Sequence, residues 1–253
     1  MKSFGLALAL MLFCNLDPVW AATFELEADH SDNLPSVPGL LSGAAQQQQN
    51  AYQGKFYIQW FCVPRWMAGS WYKQGDRTIS VTDLRTGMTR PSGQFIDNEM
   101  TVSWGHQLDR QGNVWHANIL PDERDSTASA CRLSVVFKTV QQKAESLQAD
   151  ALTTRTHYLV TESHPVTRQV VDMFQQESLN LYTPQNTDQG IALLNKSSNR
   201  VFTYQGRPMR DGILESRFKR VAGFQPVPEA WGISLADSLR DYLNANNLSH
   251  LAP

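Results

Sequence analysis

Arg65-Trp66-Met67-Ala68-Gly69-Ser70-Trp71-Tyr72 is the stretch whose reading decides the fold. A Gly-x-Trp-Tyr entering a strand is one way in which small β-barrels begin, so the stretch speaks to architecture and not to chemistry. Beyond Gly69, β-branched and aromatic residues alternate with polar ones and are cut by Gly, Asn, Asp and Pro turns. Strand signals fall at 70–74, 77–84, 99–108, 113–120, 130–140, 154–162, 166–182, 189–195, 199–205 and 213–222. With no helical period between them, they predict an antiparallel barrel or sandwich. Residues 141–150 fit either a short helix or a hairpin tip.

Upstream, Lys2 is followed by the apolar run from Phe4 to Cys14 and by Val19-Trp20-Ala21 ahead of Ala22, which reads as a secretory signal peptide over 1–21. The run is shorter than the roughly 20 residues of a membrane span. The expected location is therefore periplasmic or secreted. Processing would remove Cys14 and leave Cys62 and Cys131, expected to form a disulfide in an oxidising compartment. Closing a loop of about 70 residues would restrict the unfolded chain by about 4 kcal/mol in the chain-entropy model.

Residues 22–54, with the tract Gln46 to Gln49, read as a flexible N-terminal arm, 55–226 as the β-barrel domain and 227–253 as a linker and helix packed on it. The helix is expected from about 234 to 246. Ser234 suits the N-cap, Asp237 stands three residues on, and Leu235, Leu239, Tyr242 and Leu243 recur at helical spacing. The segment from Phe56 to Met67 is so dense in apolar side chains that it must be buried or covered by a partner.

Lys and Arg number 22 against 24 Asp and Glu, a formal charge of −2, and no basic stripe with interleaved aromatics marks a nucleic-acid surface. No segment after the signal is apolar enough to span a membrane. There is no Gly-x-Ser-x-Gly elbow and no phosphate-cradling glycine loop, and neither Cys62 nor Cys131 has a second ligand at metal spacing. No catalytic residue and no metal site is expected, and a cofactor is unknown.

Met100, Val102, Trp104, His106 and Leu108 alternate with polar residues, so one face of that strand is interior. The turn Asp109-Arg110-Gln111-Gly112 can be a four-residue loop pairing 108 with 113, or a three-residue loop with Gly112 as a bulge pairing 109 with 113. The first register puts Trp115, Ala117 and Ile119 on the face of Trp104 and His106, the second His116 and Asn118. Apolar matching favours the first, which makes Trp104, His106 and Trp115 the candidate ligand-binding residues. His106 would be a polar handle in a cavity, a haem or metal ligand, or a core histidine with its hydrogen bonds met.

Residues 65–72 resemble the opening of lipocalin-type (calycin) barrels. The resemblance implies an up-and-down β-barrel closed at one end by Gly69, Trp71 and an arginine of the last strand, Arg217 or Arg220, with a C-terminal α-helix. It also implies an envelope protein that binds a small hydrophobic ligand. The alternative is an envelope assembly or protein-interaction module with a filled barrel, whose partner protein would dock on the aromatic segment Tyr57 to Trp66 together with the flexible arm.

Overall fold

In a computed structural model the described residues are 29–36, 57–120, 122–128, 133–188 and 190–253. The alternation read in the sequence becomes long antiparallel strands: β1 Tyr57–Val63, β2 Gly69–Asp83, β3 Met88–Pro91, β4 Phe95–Trp104, β5 Gln107–Leu108, β6 Val114–Leu120, β7 Asp122–Ala128 and β8 Leu133–Leu147. They continue as β9 Leu152–Ser163, β10 Val170–Thr187, β11 Gly190–Phe202, β12 Pro208–Gly223, β13 Glu229–Ala230 and β14 Ile233–Ser234, ahead of the helix α1, Leu235–Ala245, and a 3-10 turn, Ser249–Leu251. Neighbouring signals have fused. Those at 70–74 and 77–84 are one strand, β2, and those at 189–195 and 199–205 are one strand, β11. The ambiguous 141–150 carries β8 as far as Leu147, and Gln148 N–H then donates to Ala151 O at 2.8 Å in a tight turn.

The large sheet runs β3-β2-β12-β11-β10-β9-β8-β7, with β4 beside β3 on the same edge of β2. From β7 to β12 each strand pairs with the next in sequence, and β12 returns to pair with β2, the sheet's first strand in sequence. Its two edges approach one another where β4 touches β7. No hydrogen-bonded ladder joins them among the described residues. What is established is a mainly β, antiparallel architecture with one C-terminal helix.

The order β1-β6-β5 makes a second sheet, and it explains the aromatic density before Gly69. Because side chains alternate across a strand, Phe61 and Val63 join Val114 in the cluster of Trp71 and Trp104, while Ile58, Trp60 and Cys62 join Trp115, Ala117 and Ile119 against α1. The layer is covered on both sides, with Trp60 and Phe61 buried. The segment from Tyr57 to Trp66 therefore offers no broad aromatic ledge to a partner.

Helix α1 starts where the sequence predicts, with the Ser234 hydroxyl accepting from Asp237 N–H at 3.3 Å. Leu235, Leu239 and Leu243, one turn apart, are fully buried against Trp60 and Trp115. Burying each leucine contributes about 1.5–3 kcal/mol. No helix among the described residues is long and apolar enough to cross a membrane.

Part of the expected flexible arm is instead docked. Residues 29–36 lie on the face of the large sheet opposite Trp71, where His30 is 6% exposed. Its Nδ1 lies 2.9 Å from Glu177 Oε1 and its Nε2 2.9 Å from Ser198 Oγ. The expected signal peptide over 1–21, the glutamine tract and Cys131 lie outside the described residues.

Candidate functional site

One end of the large sheet is closed by the residues of the Gly-x-Trp stretch. Trp71 is fully buried, its indole N–H donates to Met67 O at 2.7 Å, and the Arg220 guanidinium stands 4.2 Å from the ring centre. Gly69 has φ +122, and a Cβ there would sit 2.6 Å from Ala222 O and 2.9 Å from Arg220 Nη1, so only glycine lets β12 and its arginine pass this closely. Arg217 is exposed and pairs across the ladder with Leu194, away from Trp71.

The expected pocket of Trp104, His106 and Trp115 does not form. The hairpin takes the three-residue register, with Leu108 opposite Val114 and Gly112 at φ +75. Asp109 selects it. Its carboxylate accepts from Gln111 N–H, Asn113 N–H and the Asn113 amide, each at 2.9 Å, and from the Trp115 indole at 3.0 Å. Burial opposes the Asp109 charge, and the bonds from Trp115, Asn113 and Gln111 overcome it, holding its pKa below the ordinary value.

The strand also breaks at Gly105, whose φ is +84 and where a Cβ would fall 2.4 Å from Val114 Cγ1. Trp104 therefore packs with Trp71 and against His116, ring centres 4.9 Å apart, whereas Trp115 packs against Tyr242 of α1 on the other side of the small sheet. His106 is stacked on His116 at 4.7 Å, its Nδ1 accepts from Ala117 N–H at 3.0 Å, and burial lowers its pKa. That is a neutral histidine whose Nδ1 hydrogen bond is met, not a handle in a cavity.

The polar chemistry lies on the face of the large sheet that carries Trp71, and it follows one pattern on three adjacent strands. On β10 that face reads Phe174, Gln176, Ser178, Asn180, Tyr182, and on β11, opposite it, Val201, Asn199, Ser197, Asn195, Leu193. On β9 it reads Val160, Tyr158, Thr156, Thr154, Leu152. Two apolar ends thus enclose a polar belt. One end joins Val135, Val160, Phe174 and Val201, and the other Leu152, Tyr182, Leu193, Phe218, Trp71 and Trp104.

The belt is partly satisfied from within. Asn195 donates to Asn180 Oδ1 at 3.2 Å, Gln176 to Ser178 Oγ at 2.9 Å, and Ser197 to Asn199 Oδ1 at 3.0 Å. Across β2 and β4, Lys73 Nζ reaches the two Asp76 oxygens at 2.5 and 2.6 Å. Asp76 also accepts from Asn98 Nδ2 at 3.0 Å and from the Ser216 hydroxyl. Lys73 and Asp76 are both buried.

Five atoms on or beside the belt are buried without a partner: Thr154 Oγ1, Thr156 Oγ1, Asn195 Oδ1, Asn98 Oδ1 and Trp104 Nε1. A buried polar atom left without any partner costs about 1–3 kcal/mol. Sequence reading passed over these residues because each is ordinary in a strand. The signal was the apolar–polar–apolar repeat at period two, visible only once the registers are known.

On the opposite face, a cleft of about 680 Å³ lies between residues 29–36 and β8–β10. Glu177 is its centre, accepting from Ser31 N–H at 2.9 Å and the Ser31 hydroxyl at 2.8 Å, and pairing with Arg155 at 2.9 Å. Burial alone would raise its pKa. The His30, Ser31 and Arg155 bonds outweigh that and hold the carboxyl far below the usual range. Arg155 also pairs with Glu145 at 2.8 Å, so the charges of this cleft serve mainly to fasten the arm.

Cys62 has a free thiol among the described residues, pushed up to about 11 by burial and then by the Asp109 charge, and Cys131, its expected partner, lies outside them. No cluster of His, Cys, Asp or Glu suited to a metal ion occurs among the described residues. No family model, curated protein or solved structure matches the chain.

Proposed function

We propose that this chain is an exported, lipocalin-like binding protein that holds a small ligand against the belt face of its large sheet. The observation that supports this is the set of unpartnered buried polar atoms between two apolar clusters. Buried polar groups in folded proteins are hydrogen-bonded, so such a set fits a site completed by a ligand. The ligand differs from the purely hydrophobic one read from the sequence, because the lining is polar at its middle.

Entry would use the space between β4 and β7, the edges that no ladder joins among the described residues. The up-and-down order, the paired first and last strands and the Trp71–Arg220 end support the lipocalin-like barrel as the frame. The interaction-module alternative loses one of its two surfaces, since the aromatic segment is spent largely on the protein's own core.

The test is native mass spectrometry of protein taken from its own cell envelope, beside protein refolded from denaturant. A non-covalent mass adduct on the first and not on the second is expected. Bare protein from both sources would leave the belt as solvated core and overturn the reading.

A further inference from the structure

We infer that the ligand's polar part is uncharged and both donates and accepts hydrogen bonds, as an amide or hydroxyl does, on an otherwise aliphatic molecule. The inference rests on the proposed site and follows from two features of its lining. The first is the mix of unpartnered atoms. Trp104 Nε1 can only donate, the Asn195 and Asn98 oxygens can only accept, and the Thr154 and Thr156 hydroxyls can do either. A carboxylate has no proton for the asparagine oxygens. An ammonium has no lone pair for the indole. A group with both can serve donors and acceptors of this lining alike.

The second feature is the charge balance. The buried ions among the described residues on this face, Lys73 and Asp76, are spent on each other. The Asp76 carboxylate already accepts from Lys73 twice, from Asn98 and from Ser216, which fills its acceptor sites. A charged ligand would enter with no counter-ion left for it, and an unpaired buried charge is strongly disfavoured. The apolar clusters on either side of the belt, around Phe174 and around Trp104, then take the aliphatic parts.

The experiment compares octanamide, octanoate and octylamine by titration calorimetry at neutral pH, on the full mature chain. Octanamide is expected to bind at least about tenfold more tightly than either charged probe. In Asp76→Asn the Lys73 ammonium loses its partner, so octanoate should gain about tenfold and close most of the gap to octanamide, while octylamine gains nothing. If Asp76→Asn does not fold, the ranking in the unaltered protein decides alone. Octanoate or octylamine binding tightest in the unaltered protein overturns the inference and leaves the site standing, whereas failure of all three to bind, with no adduct in the native spectra, removes the site itself.

Discussion

The guanidinium of Arg220 lies 4.2 Å from the centre of the Trp71 ring while donating to the carbonyl oxygens of Ala68 and Trp66. One side chain thus ties the last long strand to the turn before the first strand of the large sheet and caps the indole that fills this end. Truncating Trp71 to Ala should cost about 3 to 5 kcal/mol, the range for a buried large aromatic. In a double-mutant cycle by urea denaturation, Arg220→Ala should couple to Trp71 by about 0.5–2 kcal/mol and Arg217→Ala by nothing measurable. Equal coupling of both arginines would contradict the stacking.

Asp109→Ala should cost about 2 to 3 kcal/mol, because it removes an ionised acceptor from four donors, one of them the Trp115 indole. The loss should also be reached in acid. The folded pKa is depressed, so the contribution is complete above the unfolded value near 3.9 and disappears as pH falls through the folded one. Thermal midpoints followed from neutral pH into acid check this, since Asp109→Ala should flatten part of the acid limb.

These two sites show why the sequence was legible at one end of the sheet and not at the hairpin. Gly69, Trp71 and an arginine on the last strand could be named because residues 65–72 resemble the opening of lipocalin-type barrels, in which such residues meet. The face of Trp115 could not be read from apolar matching, because the carboxylate of Asp109 and the bend at Gly105 outweigh it. The belt escaped for another reason: Thr154, Asn180 and Ser197 become one row only through pairings between strands well apart in sequence.

The docked arm should be held by Glu177. With its folded pKa depressed, Glu177 contributes fully above the unfolded value near 4.3, and that contribution is lost as pH falls through the folded value, so docking should persist through neutral pH and weaken only in strong acid. Glu177→Gln should ease arm opening by about 3 to 5 kcal/mol, as for breaking a buried ion pair. Hydrogen exchange at Ser31, whose N–H bonds to Glu177, is the readout. Unchanged protection in the variant would mean that other contacts hold the arm.

Cys62 should resist alkylation in the folded protein at pH 8, because its thiol is pushed up to about 11 by burial and the Asp109 charge. A raised folded value means that the protonated thiol stabilises the fold fully below the unfolded pKa near 8.5, with that contribution falling away as pH rises toward 11. Unfolding without reductant separates the alternatives for its partner. Rapid labelling then shows a thiol that was free, as in the structure, whereas no labelling would show the bond to Cys131 that the cysteine count suggests.

Thr154→Val and Thr156→Val are the sharpest test of the belt, because valine keeps the shape of threonine and removes only a hydroxyl that has no partner. Without ligand, each should leave stability unchanged or raise it by about 1 kcal/mol, since an unsatisfied buried hydroxyl carries its desolvation cost with no return. With ligand bound, the same changes should weaken binding about tenfold, the equivalent of one hydrogen bond of about 1.4 kcal/mol. Structure and function would thereby move in opposite directions at the same atom. Loss of stability in ligand-free Thr154→Val would show instead that the hydroxyl is bonded inside the fold and that the belt is an ordinary satisfied core.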